Sequence, residues 1–337
     1  MRRWYVWAPI SLGLLALLAW RTRPWDAAAL ASQLDLGALG LALALNLVVV
    51  LVWAERSRSL MAAVGSPLSR TRLVPIVSFA NTVNNLTPAS SGEVFRAMIL
   101  HRQFAVPYSN AAAVILAERL WAFGMILVTA CAAAIGTIVS APTAVVAIAW
   151  IVGLVACFAP SIAYSLGFRP GRLAAGYARS GGEHPGRLRK LAQQLAVVDE
   201  RLAVILTNRW RATHFVATTG LLFTLFAAQL WLVLNALDTP VPLIGVWGAY
   251  GLAICAGVIA ALPFGLGATD VVLVILLGAQ GVDVSTAGAA VLLLRIVATL
   301  PLGILGTGSW IWLQRGGNSA VAAESYEDAR RSEGAGP

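Results

Sequence analysis

Charge is scarce in this chain. Asp, Glu, Lys and Arg make up 12% of its 337 residues, against about 25% in a soluble domain. With 59% hydrophobic residues and a mean hydropathy of +0.79, that shortfall excludes a water-soluble fold and points to an all-α polytopic membrane protein. Lysine is nearly missing: Lys190 is the single one among 24 basic residues. Cys131, Cys157 and Cys255 each sit in an apolar run without paired spacing, which argues against a disulfide framework or a zinc site and for small buried side chains. His101, His184 and His214 lack the i, i+4 spacing of metal ligands, so no metal is expected. There is no Ser-His-acid order, Walker loop, dinucleotide fingerprint or acidic pair outside the apolar sequence, so neither catalytic residues nor a cofactor are expected. The net charge of +9 bears on topology and lipid headgroups, and nucleic acid is not an expected partner.

What is present is apolar sequence in blocks. Stretches at about 5–20, 36–53, 109–136, 143–166, 213–237 and 286–313 each approach the length that crosses about 30 Å of hydrocarbon as a helix. Arg2 and Arg3 precede the first, but no small-residue cleavage site follows, so that span is expected to be retained. Trp20, Trp25, Trp53, Trp210, Trp310 and Trp312 fall at block ends, where interfacial anchors belong. Two further regions, 73–100 and 243–280, are broken near the middle. The breaks read Leu86-Thr87-Pro88-Ala89-Ser90-Ser91-Gly92 and Leu262-Pro263-Phe264-Gly265-Leu266-Gly267.

The two halves of the chain resemble one another. Ser109 and Ser285, Arg119 and Arg295, and Ala122 and Ala298 are each 176 positions apart. Pro88 and Glu93 have near counterparts in Pro263 and Asp270, and the span from Leu36 maps onto that from Ala212. Such duplication marks membrane transporter folds. The expected organisation is one transmembrane domain over 1–315, with repeats at about 36–136 and 212–313. A cytoplasmic linker at about 169–211 and a disordered cytoplasmic tail at 316–337 complete it.

Charge bias orients the repeats. The 55–72 loop carries Arg56, Arg58, Arg70 and Arg72 against Glu55, and the linker is also basic, so both are expected on the cytoplasmic side with the two termini. Links near Pro142, Asp238 and Asp283 lack basic residues and are expected outside. Only 28 residues run from Leu73 to Leu100, too few for two crossings, so this region reads as a re-entrant hairpin. The second broken region starts and ends outside, so its hairpin opens to the opposite face and the repeats are inverted, giving about six full spans plus two hairpins. A full crossing over 241–262 would make them parallel instead. Within the linker, Leu188, Leu191, Leu195, Val198 and Leu202 form an apolar helical stripe. It suits a helix on the anionic inner leaflet or a connector packed on the bundle.

Ionisable residues expected at membrane depth are Glu93, Arg96, Glu118, Arg119, Asp270 and Arg295, three acids balancing three bases. Each costs roughly 2.5–3.5 kcal/mol on insertion scales unless paired or wetted. Ser90 and Glu93 have capping-box spacing, so Glu93 either caps a half-helix or holds Arg119 or Arg96 in place. The breaks would expose helix N-termini to an anion at mid-depth. Pro88, Ser90, Gly265 and Gly267 shape them, while Asn81, Asn84 and Asn85 put amides on one face. Arg119 and Arg295 are candidates for substrate contact, or for structural pairing with Glu93 and Asp270. Glu118 points about 100° away from Arg119 around a helix and need not be its partner.

These residues resemble a family. The Asn-rich half-helix, the Pro-x-x-x-Gly-Glu-x-x-Arg run at Pro88–Arg96, the Glu118-Arg119 pair, and Pro263-Phe264-Gly265-Leu266-Gly267 with Arg295 look like the lysylphosphatidylglycerol synthase transmembrane region, a flippase-like family. Asp270 stands where the family leads one to expect Glu. The resemblance implies movement of an anionic phospholipid or a polyprenyl-phosphate-linked saccharide between leaflets. Larger members add an aminoacyl-transferase domain, and a stand-alone lipid-translocating part is expected here. A membrane-bound transferase acting on a lipid-linked sugar, and a scaffold for a cell-envelope glycosyltransferase partner, are the alternatives.

Overall fold

The computed structural model describes residues 34–87, 91–137, 143–180, 186–260 and 267–315, with Gly13, Ala16, Leu17, 19–23 and Trp25 from the N-terminal segment. All its regular elements are helices. They are α1 (Leu36–Ala63), α2 (Arg70–Leu86), α3 (Gly92–Phe104), α4 (Tyr108–Thr137), α5 (Thr143–Cys157), α6 (Ala159–Ser165), α7 (Pro170–Ser180), α8 (Gly186–Leu206), α9 (Arg209–Ala236), α10 (Leu243–Ala260), α11 (Ala268–Gly278) and α12 (Val284–Leu294). Through a π-turn at Arg295–Thr299, α12 continues to Arg315. Among the described residues, α1, α9, α10 and the whole of α12 are long and apolar enough to cross a membrane. Their outward faces suit lipid rather than water: α1 exposes Leu41, Leu43, Leu47, Val48 and Leu51, and α5 exposes Ile148, Ile151, Val152, Leu154 and Val155.

Polar caps set the helix starts. The Asp35 carboxylate accepts from the Gly37 and Ala38 N–H groups at 2.8 and 3.1 Å, and the Asn208 side chain accepts from Arg211 N–H at 3.1 Å. Asp283 accepts from Ser285 and Thr286, and the Ser285 hydroxyl and these N–H groups hold its carboxyl below the usual range. Left-handed residues end helices at matching places. Gly65 (φ 76°) and Asp238 (φ 52°) are 173 positions apart, and Ala105 (φ 52°) and Gly281 (φ 88°) are 176 apart.

That pattern corrects the register of the repeats. α1 and α2 map onto α9 and α10 at an offset of 173, while α3 and α4 map onto α11 and α12 at 176. The three extra residues fall between the first and second helices of the second hairpin. α1 and α9 run antiparallel: Asp35 N–H donates to Ala236 O at 3.3 Å, Gln229 Nε2 to Ala42 O at 3.0 Å, and Arg56 lies 4.2 Å from the Phe215 ring centroid. Equivalent helices therefore point in opposite directions.

Both broken regions double back. Arg72 near the start of α2 lies 5.6 Å from the Phe104 ring at the end of α3. Gln280, just past α11, donates to Gly245 O near the start of α10 at 3.3 Å. At 11 residues, α11 spans about 16 Å, half of a bilayer core. The length of α10 alone would allow a full crossing, but the Gly245–Gln280 contact returns the chain to the side it left. Since α1 and α9 are antiparallel, the two hairpins open toward opposite ends of the bundle.

Each hairpin packs on the other repeat. Thr82 Oγ1 donates to Leu302 O at 3.3 Å, and a Cβ on Gly306 would stand 1.9 Å from that hydroxyl, so α2 crosses α12 at close range. The counterpart contact is Cys255 Sγ to Ile126 O at 3.7 Å, between α10 and α4. Cys255 is thus more than a space-filling side chain; it stands where Thr82 stands. One apolar core, including Trp121, Phe215, Leu73 and Ile205, gathers under the first hairpin. A second, including Leu230, Leu273 and Leu294, gathers under the other.

Three further expectations need correction. The apolar block 143–166 is two helices, because α5 ends at Cys157 and α6 restarts at Ala159 with Pro160 in its first turn. In the linker, α8 buries Leu202, Ile205 and Leu206, while Leu191 and Leu195 are exposed and the Leu188 side chain lies outside the described residues. The stripe is therefore divided between core packing and an open face. Finally, α1 does not stop where hydropathy stops. It runs ten residues beyond Trp53, so Glu55, Arg56 and Arg58 are helical and Trp53 is not at a helix end.

Candidate functional site

A cavity of about 470 Å³ lies between the repeats. Its lining follows the pseudo-twofold relation: Trp53 with Phe226, Arg119 with Arg295, Ala122 with Ala298, Phe123 with Thr299, and Ile126 with Leu302. Trp53 and Phe226 are each other's counterparts at 173, and their ring centroids are 6.0 Å apart. A residue touching its own counterpart sits on the axis, which in an inverted-repeat protein lies at the bilayer midplane. Trp53 is thus a cavity residue on the axis, not an interfacial anchor, whereas Trp20, Trp25, Trp210 and Trp312 remain exposed.

The walls differ in chemistry. Asn81, Asn84, Asn85 and Thr87 come from the first hairpin, whereas the second supplies Ile254, Gly257 and Val258 at the positions equivalent to the three asparagines. The side-chain amides of Asn81 and Asn85 make no hydrogen bond among the described residues. At these positions one wall offers amide donors and the other hydrocarbon, while Tyr250, Thr269 and Asp270 of the second hairpin also line the cavity.

A smaller cavity of about 190 Å³ shares Trp53, Asn81, Asn84, Arg119 and Ala122 and reaches further into the first repeat. Here Arg96, buried, grips Glu118 with both terminal nitrogens, at 2.5 and 3.0 Å. Ser57 ties the pair together, accepting from Arg96 at 2.8 Å and donating to Glu118 at 3.0 Å. Glu93 accepts from Arg119 at 2.5 Å and from Asn84 at 3.1 Å, and stands 3.5 Å from Arg96. Glu93 thus holds both arginines, and Glu118 partners Arg96 rather than Arg119. Close packing at Gly92 makes this possible, since a Cβ there would lie 2.0 Å from Ala80 O.

In the second repeat, Arg295 donates to Asp270 through Nε and Nη2 at 3.0 and 2.7 Å. Asp270 Oδ2 also accepts from Gly267 N–H at 2.9 Å, where φ of 87° favours glycine. Helix capping and ion pairing are thus combined in one carboxylate. Pro88, Ser90 and Gly265 lie outside the described residues. Ser91, whose hydroxyl meets that of Thr87, stands at the α3 N-cap without a side-chain capping bond.

The balance of three acids and three bases omits Arg56. Charge counting places Arg56 in a loop; the structure places it in α1, 91% buried and lining the smaller cavity. It makes no ion pair or hydrogen bond among the described residues, and its buried Nε lacks a partner. Its neighbour is the Phe215 face, which is stacked in turn on Trp121 at 4.5 Å. A desolvated cation over a ring gains about 2 kcal/mol, less than the several kcal/mol that burying an unpaired ion costs. Its signal in the sequence is periodicity: Trp53, Arg56 and Ser57, at i, i+3 and i+4, share one helix face.

A sequence model of the family described as lysylphosphatidylglycerol synthase TM region matches residues 7–306. The chain belongs to this family. A relative from Methanothermobacter thermautotrophicus (strain Delta H), described as a UPF0104 membrane protein, is 23% identical over 282 residues, which is 80% of this chain and 83% of that protein. As a member of the lysylphosphatidylglycerol synthase transmembrane region family, the protein is a membrane protein. Its acid–arginine pairs therefore sit in a surrounding where ionisable groups persist only when paired or wetted.

Proposed function

We propose that this family member moves an anionic phospholipid or a polyprenyl-phosphate-linked saccharide between the leaflets of the cell membrane, with both termini cytoplasmic. The observation that carries this reading is the two-faced cavity on the pseudo-twofold axis. Its amide wall and arginines suit a phosphate headgroup, and the apolar stretch of Ile254, Gly257 and Val258 opposite suits the chains that stay in the bilayer. Inverted repeats give such a site two equivalent exits, one for each hairpin. Glu93 and Asp270, each bonded to an arginine, are the candidate proton carriers if transport is ion-coupled.

The test is lipid movement in vesicles containing the purified protein and fluorescent phosphatidylglycerol. Arg119→Ala and Arg295→Ala each remove charge-assisted hydrogen-bond donors, and the rate is expected to fall about tenfold or more. Variants that fold, by gel filtration, yet move the lipid at the native rate would sink the site assignment.

A further inference from the structure

We infer that Arg56 is the main anion ligand of the smaller cavity, and that its ligand is a phosphodiester bearing one negative charge. The inference deepens the transport proposal by naming the headgroup class, and rests on it for a lipid source of the phosphate.

Charge counting inside the cavity carries the inference. Its lining holds Arg56, Arg96 and Arg119 against Glu93 and Glu118, an excess of one positive charge. Arg96 and Arg119 are engaged by carboxylates, so the excess belongs to Arg56. The larger cavity adds Asp270 and Arg295, which pair and leave the balance unchanged. An unpaired guanidinium is retained in a buried site at a cost that an incoming anion removes. Donors for the remaining phosphate oxygens lie close by, in the unengaged Asn81 amide and the Arg119 guanidinium.

The second repeat shows what a structural residue at this position looks like. Gln229 is the equivalent of Arg56, and it donates to Ala42 O and Asn46 Oδ1 at 3.0 and 3.1 Å. Ala42 is in turn the equivalent of Phe215, so the two side chains occupy matching places. A neutral amide serves the packing role there, and the equivalents of Ser57, Arg96 and Glu118 are Leu230, Val272 and Leu294. The excess charge is confined to one repeat, so packing of the fold does not require it.

A single positive charge selects against other headgroups. A zwitterionic lipid brings its own cation, and a phosphomonoester with two charges would leave one uncompensated. A phosphodiester with a neutral substituent, whether glycerol or a sugar, matches.

Thermal unfolding of the full chain in detergent tests this, with dioctanoyl phosphatidylglycerol as probe and dioctanoyl phosphatidylcholine as control. The native protein is expected to show a saturable stabilisation by phosphatidylglycerol alone. Arg56→Gln copies the second repeat. It is expected to match or exceed the native unfolding temperature without lipid, and to bind phosphatidylglycerol about tenfold or more weakly. An Arg56→Gln protein that is less stable when empty yet keeps the native lipid response would overturn the assignment, leaving Arg56 a cation held by Phe215. So would a stronger response to phosphatidate at pH 8, where its headgroup is doubly ionised. Should Arg56→Gln fail to fold, Phe215→Leu decides: it keeps the cation, so the lipid response should persist, and its loss would refute the idea. Inorganic phosphate identifies the source. A response to the lipid alone supports a headgroup site, and an equal, Arg56-dependent response to inorganic phosphate would refute both the phosphodiester assignment and the lipid source. Arg56-dependent binding without lipid movement in vesicles would refute the transport proposal alone; lipid movement with Arg56-independent binding would refute this inference alone.

Discussion

Replacing Glu118 by Leu should be among the most damaging single changes in the bundle, and adding Arg96→Val should undo most of the damage. Glu118 accepts from both terminal nitrogens of Arg96 and from Ser57. Removing it leaves a buried guanidinium 3.5 Å from Glu93, a carboxylate already committed to Arg119 and Asn84. Breaking one partner out of a buried pair costs about 3–5 kcal/mol, whereas exchanging both for apolar residues is often neutral or favourable. The second repeat performs that exchange itself, with Val272 and Leu294 at the equivalent positions, and Leu294 is buried. At roughly 2 °C per kcal/mol for a chain of this size, Glu118→Leu is expected to lower the unfolding temperature by about 6–10 °C. The double variant should return to within about 2 °C of native. Unfolding followed by tryptophan fluorescence in detergent, on all four corners of the cycle, gives the coupling. A double variant as unstable as Glu118→Leu would show that Glu118 supports the fold by packing or through Ser57, and not by neutralising Arg96.

The other predictions address the hairpins. Gly92→Ala forces a methyl to within 2.0 Å of the Ala80 carbonyl and should cost about 1–3 kcal/mol. Gly303→Ala, with open space around its Cβ, should be neutral or slightly stabilising in the same unfolding assay. Tyr108 and Val284, equivalents at the starts of α4 and α12, are 50% and 51% exposed. As single cysteines in a cysteine-free background they should react with an impermeant maleimide from opposite faces of the membrane, and labelling from one face would refute the inversion.

Much of this architecture can be read directly from sequence, because membrane insertion makes length and charge decisive. A 28-residue segment between two arginines cannot cross twice, so a hairpin follows from arithmetic. The acids and arginines stand out because each is expensive in apolar sequence. Arg56 does not stand out, since a basic residue just past an apolar block looks like a topology signal. Only the course of α1 beyond Trp53 and the position of Phe215 turn it inward. The partner exchange between Glu93, Arg96, Glu118 and Arg119 was likewise hidden, because it depends on the approach of α2 and α3 at Gly92 and not on spacing along either helix. The offset of 173 was obscured by the better-marked 176, which rests on a serine and an arginine, while the earlier helices share mostly apolar residues.

A contact on a twofold axis is its own image. When two inverted repeats trade conformations, each off-axis contact takes on the geometry of its counterpart: Arg56 on Phe215 that of Gln229 on Ala42, and Thr82 on Leu302 that of Cys255 on Ile126. Trp53 against Phe226 exchanges only with itself. Under the proposed transport cycle the two rings would form a fulcrum, with the same spacing whichever hairpin is open. A probe distance between residues 53 and 226 would stay fixed through a cycle in which its neighbours change, and so separates rocking about the axis from loosening of the whole bundle.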